Sequence, residues 1–104
     1  MNVPQRPDDN RFVSALAALA RHPNAAVICA LAGGACRQAE LIVNAGGLNE
    51  ATLAASLREL DGDGFISRRV DPGPPLRVLY ELTALGEALA ISLGALREWA
   101  SHHA

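Results

Sequence analysis

Residues 48–82, LNEATLAASLRELDGDGFISRRVDPGPPLRVLYEL, decide how the rest of the chain is read. Leu53, Leu57 and Leu60 fall at i, i+4 and i+7, which predicts a helix with one apolar stripe turned to a core. Asn49 stands where an N-cap belongs, and Gly62 and Gly64 supply the stop, so the helix should run over about 49–62. The period then changes from helical to alternating. Phe65-Ile66 open a strand, Pro72-Gly73-Pro74-Pro75 cannot continue one, and Leu76, Val78, Tyr80 and Leu82 alternate on the way back. A hairpin over about 65–82 follows, with Arg68, Arg69 and Arg77 on its arms.

Upstream, Arg37 to Asn44 reads as a short helix with Leu41 and Ile42 inward, and Ala45-Gly46-Gly47 makes a tight turn before Asn49. A short helix, a glycine turn and an amphipathic helix form the helix-turn-helix pattern. With the basic hairpin behind it, the layout is a winged helix-turn-helix, mainly α with a small β-hairpin. Arg68, Arg69 and Arg77 can neutralise phosphates beside the groove that the helix occupies. Strand alternation puts Arg68 and Arg69 on opposite faces. A half-turn away from the leucine stripe the helix presents Ala51, Thr52, Ala55, Arg58 and Glu59. Asn49, Ala51, Thr52, Ala55 and Arg58 are therefore the candidate reading residues. Thr52 can donate to a base or phosphate, and alanine methyls can touch thymine methyls. Arg58 either contacts a phosphate or pairs with an acid such as Glu59 or Asp63. Glu50 suits the helix dipole but repels phosphates unless it accepts from a cytosine amine.

The run LRELDGDGFISRR, the Pro74-Pro75 pair, VLYELTALGEAL and a long terminal helix closing on Trp99 together resemble the HxlR family of bacterial regulators, winged-helix relatives of the MarR group. The similarity is good from about Leu53 to Trp99, weaker back to Ala35 and poor before that. It implies a dimeric, sequence-specific DNA-binding transcriptional regulator, with double-stranded DNA as partner and an unidentified small-molecule effector open as a second one. Two departures stand out. Relatives carry Ser and Lys early in the reading helix and Thr one turn on, where this chain has Asn49, Glu50 and Ala51, then Ala54. Relatives also read G-G-K-W where Pro23 takes the place of the tryptophan. Some relatives sense oxidants through a cysteine that precedes a proline near the N-terminus. The matching place here is Arg6-Pro7, so that sensor position is lost.

The remaining chain supplies the frame. Residues 1–7 carry two prolines and read as a loose arm, leaving 8–104 as one domain. Asp8 or Asp9 can cap a first helix, ended by His22-Pro23, on which Phe12, Leu16 and Leu19 share a face. Pro23 suits the start of a second helix, Asn24 to Ala32, buried through Val27, Ile28 and Leu31 and closed by Gly33-Gly34. Thr83 caps the final helix, about 83–101, along which Leu85, Leu89, Leu93, Leu96 and Trp99 run. That stripe is more apolar than a small core can cover. Phe12, Leu16, Leu19, Leu89, Leu93, Leu96 and Trp99 are therefore expected to form a symmetric homodimer interface between the N- and C-terminal helices. The alternative is that both stripes pack on the chain's own core.

Composition narrows the function classes. In 104 residues, 9 arginines and no lysine face 11 acids, a net charge of −2, which argues against an unspecific cationic nucleic-acid binder but not against a local patch. Half the residues are hydrophobic and 4% aromatic, a mix that favours helices packed closely through small side chains. No apolar run reaches membrane-spanning length and no signal pattern opens the chain, so a cytoplasmic protein is expected. Cys29 and Cys36 lack metal or thioredoxin spacing. They read as reduced thiols, Cys29 buried on its helix, with a redox switch as the sharper alternative. No catalytic constellation, metal site or cofactor loop is visible, and His102-His103 read as a solvated tail. The competing function is a winged-helix module that has given up DNA and serves as a protein- or ligand-interaction dimer.

Overall fold

The computed structural model describes residues 9–21 and 23–103. The expected arm at 1–7, the Arg6-Pro7 position, the Asp8 cap and His22 lie outside the described residues. The elements in order are α1 (Asp9–Ala20), α2 (Asn24–Leu31), α3 (Gln38–Asn44), α4 (Glu50–Gly62), β1 (Ile66–Asp71), β2 (Arg77–Leu82) and α5 (Ala84–His103).

The eight-residue α2 is apolar on nearly every side, so it is stable only when wrapped. Helices α1, α3, α4 and α5 and strand β2 all pack on it. Its Val27, Ile28 and Leu31 join Leu41 of α3, the stripe Leu53, Leu57 and Leu60 of α4, Ile66 of β1 and Leu93 of α5 in one buried cluster. Burying each such side chain contributes about 1.5–3 kcal/mol.

One polar link runs through this core. Asn24, at the first turn of α2, donates through Nδ2 to the carbonyl of Ala18 at 2.9 Å and accepts at Oδ1 from the Ser56 hydroxyl at 2.6 Å. Both Asn24 and Ser56 are buried. The pair ties α1, α2 and α4 together and fixes which side of α4 turns inward. Sequence periodicity alone, which reads Ser as polar, does not find this.

Local capping follows expectation at α4 and α5. Asn49 Oδ1 accepts from the Thr52 amide at 2.8 Å, and Thr83 Oγ1 accepts from the Gly86 amide at 3.1 Å. Arg37 precedes α3, and its amide donates to Glu40 Oε1 at 2.9 Å. That bond, then the Arg37 side chain, holds the Glu40 carboxyl below its ordinary range.

The hairpin is antiparallel, with Ile66 opposite Leu82, Arg68 opposite Tyr80 and Asp71 opposite Arg77. It is joined to the helical part from two sides. Cys36 and Tyr80 exchange backbone hydrogen bonds of 2.9 and 2.8 Å, so the segment leading into α3 pairs with the outer edge of β2. At the base, Gly86 of α5 lies against Phe65, where an added Cβ would overlap the Phe65 carbonyl oxygen. The T-x-x-G spacing thus places a cap and a close approach one turn apart.

Three of the expected dimer residues are committed elsewhere. Leu93 is 8% exposed and belongs to the core, and Leu19 and Leu89 are half-buried against it. The physical reason is rotation: Leu89 and Leu93, four apart, form the edge of α5 that faces α2. Phe12, Leu16, Leu96 and Trp99 remain between 50% and 64% exposed, and Leu85 and Ile91 also stand outside. Cys29, expected to be buried on its helix, is only partly so, and Cys36 is buried. Leu76, read with the alternating residues of the returning strand, precedes β2 and is exposed.

Three substitutions test this architecture by urea denaturation. Gly86→Ala should destabilise by about 1–3 kcal/mol, because backbone must move to admit the methyl. Gly94→Ala, mid-helix with nothing within 4 Å of the new Cβ, should stabilise by about 0.5–1 kcal/mol. Ser56→Ala, which leaves the Asn24 oxygen buried without its donor, should cost about 1–3 kcal/mol.

Candidate nucleic-acid interface

With Leu53, Ser56, Leu57 and Leu60 turned inward, Ala51, Ala55 and Arg58 form the exposed ridge of α4. Thr52 and Glu59, expected on the same ridge, sit on its flank and are half-buried. Asn49 spends its side-chain oxygen on the cap, which leaves only its amide donors for another contact. Glu59 pairs with Arg21, at the end of α1, and not with Arg58. Among the described residues Arg58 makes no ion pair.

The wing register divides the three arginines. Arg68 shares a face with Ile66 and Tyr80 and points toward α4, where Arg58, Asp61, Gln38 and Tyr80 line the same cleft of about 260 Å³. Arg69 and Arg77 lie on the opposite face. Arg69 is 3.9 Å from Glu81 through Nε, a long and exposed pair. Arg68 and Arg77 make no ion pair among the described residues. The structure therefore brings Arg68 to the exposed ridge of α4 and sets Arg69 and Arg77 behind it. Gln38 was missed because its place beside Arg58 and Arg68 depends on how α3 crosses α4. Arg21 was missed for the same kind of reason: nothing in local periodicity links the end of α1 to α4.

Cys36 stands two residues ahead of α3, next to Arg37. Burial pushes its thiol above the ordinary value, Glu40 raises it further, and a hydrogen bond from Asn44 offsets this in part. The group is thus suited to packing under Tyr80 rather than to chemistry. Among the described residues no group of three His, Cys, Asp or Glu side chains could hold a metal ion. No single helix among them is long and apolar enough to cross a membrane.

A glycine-turned helix pair with one exposed, small-residue ridge, and a basic hairpin folded against its side, defines a winged helix-turn-helix domain. The chain belongs to the HxlR-like helix-turn-helix family, whose pattern it matches over residues 19–104. It is 40% identical over 73 residues to YtfH of Escherichia coli, named an HTH-type transcriptional regulator. That match takes in 70% of this chain and 58% of YtfH, so the chain spans little more than half of that relative. YvaP of Bacillus subtilis, named likewise, is 34% identical over 91 residues, with 88% of this chain and 84% of YvaP covered. Among solved structures, the reduced form of the transcriptional regulator YodB from B. subtilis matches with a TM-score of 0.82 at 28% identity, over 96% of this chain and 95% of that one.

The raised Cys36 pKa has a direct readout. Between pH 7 and 9, iodoacetamide should label Cys36 more slowly in the folded protein than in urea, because little thiolate forms at that site until the chain opens. Equal rates in the two states, followed by mass spectrometry of the labelled peptides, would contradict the burial argument.

Proposed function

We propose that this chain is a dimeric, sequence-specific DNA-binding transcriptional regulator that acts in the cytoplasm and is not an enzyme. The single observation that carries the reading is the continuity of the Ala51/Ala55/Arg58 ridge with Arg68, two exposed cations that make no ion pair among the described residues, beside a surface small enough to enter a groove. In this proposal α4 lies in the major groove, with Ala51 and Ala55 against base edges and thymine methyls. Arg58 and Arg68 bind phosphates on the wing side of the groove, and Arg77, with Arg69 behind Glu81, reaches the backbone further out. Thr52 and the Asn49 amide contribute from the start of the helix. The family names of the relatives support the same reading.

The ridge is short of hydrogen-bond donors, so base selection leans on methyl contacts and on DNA shape as much as on direct readout. Affinity then comes mainly from phosphates and must fall with salt. The second copy is argued from Phe12, Leu16, Leu96 and Trp99, an apolar set on α1 and α5 that the monomer leaves uncovered. Two copies related by a twofold axis would address half-sites about one helical turn apart. A small-molecule effector remains part of the proposal without an assigned pocket.

Selection from a random duplex pool, followed by anisotropy titrations over a salt series, tests the reading. Arg68→Ala should reduce the magnitude of the log K against log salt slope by about 0.9, the value for one lost phosphate contact. Failure to select any duplex, or binding indifferent to salt, would reject DNA as the partner. Leu96→Glu should shift the sedimenting species from dimer to monomer; an unchanged mass would remove the α1/α5 interface.

A further inference from the structure

Helix α4 has a second flank, away from the wing. There Arg21 and Pro23 face Ala51, Thr52, Ala55 and Glu59 across an open cleft of about 530 Å³. Arg21 is positioned by the same residue that organises the core: its carbonyl accepts from the Asn24 amide at 3.0 Å. Its side chain is more than half exposed and is held through Nε by the Glu59 carboxylate. A guanidinium carries five N–H donors, and one carboxylate cannot occupy them all. Arg21 lines this cleft together with Ala51 and Ala55.

We infer that Arg21 is a phosphate-binding residue for duplex DNA, and that Glu59 is its positioning partner and attenuator. The inference rests on the DNA-binding reading above and adds the second wall of the groove to it. A major groove about 12 Å wide is nearly filled by a helix about 10–12 Å across, so both flanks of the helix lie next to a sugar–phosphate strand. Arg58 and Arg68 serve the strand on the wing side. Among the described residues Arg21 is the cation that lines the other flank, and the cleft gives the backbone room to approach it. Glu59 holds the guanidinium in place before DNA arrives, which lowers the ordering cost of the contact. Its own negative charge opposes the phosphate that Arg21 binds. The two residues therefore act with opposite sign on affinity.

A purely structural tie between α1 and α4 makes a different forecast, since loss of either partner would then weaken the fold and the binding alike. The test uses the full chain and a duplex selected by the unmodified protein. Arg21→Ala should weaken binding by about tenfold at low salt and take about 0.9 from the salt slope. Glu59→Gln keeps an acceptor for Arg21 but removes the charge, and should tighten binding by about threefold. A gain in affinity cannot come from a misfolded protein, so the second variant keeps the test sound if the first is unstable. Opposite shifts from the two variants support the inference. If Arg68→Ala lowers the slope while Arg21→Ala leaves it unchanged, or if Glu59→Gln weakens binding, Arg21 is not a phosphate contact and the DNA reading stands without it. If no duplex is selected at all, both are overturned.

Discussion

The buried Asn24 side chain holds the arrangement on which everything else depends. It is bonded to α1 through the Ala18 carbonyl and to α4 through Ser56, while itself beginning α2. An apolar stripe such as Leu53/Leu57/Leu60 tolerates some rolling of its helix, because leucine contacts are not directional. A hydrogen bond of 2.6 Å between two buried groups does not, since a misplaced partner leaves polar atoms without water. The link therefore fixes the roll of α4. With Ser56 inward, Ala51, Ala55 and Arg58 must face out, and Thr52 and Glu59 must fall on the α1 side.

The wing is fixed by a different kind of contact. Two backbone bonds between Cys36 and Tyr80 place β2 beside the start of α3, and the Gly86 approach to Phe65 seats the base of the hairpin on α5. Both are backbone contacts, so they hold position without asking much of side-chain identity. Residues 66, 68 and 70 then form the face toward the helices. Arg68 is on that face by register, and it meets Arg58 across a cleft that two arginines and one acid, Asp61, line among the described residues. In a chain with net charge −2, what matters for an anionic partner is this local surplus and not the total.

Glu59 and Glu81 each stand beside an arginine, Arg21 and Arg69, and both pairs are exposed enough to contribute little to stability. Their effect is on where a guanidinium points. The exposed apolar residues follow a parallel logic. Helix α5 commits Leu89 and Leu93 to the core and keeps Leu96 and Trp99 outside, so a single helix serves both the monomer's interior and a surface that water covers poorly.

Much of the fold was legible in the chain itself. The helix over Leu53–Leu60, the Asn49 and Thr83 caps, the glycine turn before α4 and the proline-broken hairpin all rest on contacts within a few residues. Local chemistry determines these, and they stand where periodicity put them. The candidate site was legible only in part. Its arginines could be named, but which of them adjoin α4 is a matter of strand register and of how the hairpin docks, and this separates Arg68 from Arg69 and Arg77. Arg21 beside Glu59, Ser56 beneath Asn24 and Gln38 beside Arg68 join residues 30 or more apart in sequence. The division of α5 between Leu93 inside and Trp99 outside depends likewise on α2 packing against one edge of it. The sequence by itself determined the elements, because caps, turns and periods act over a few residues. The tertiary structure alone decided which side chains share a surface, because that requires distant segments to meet in three dimensions.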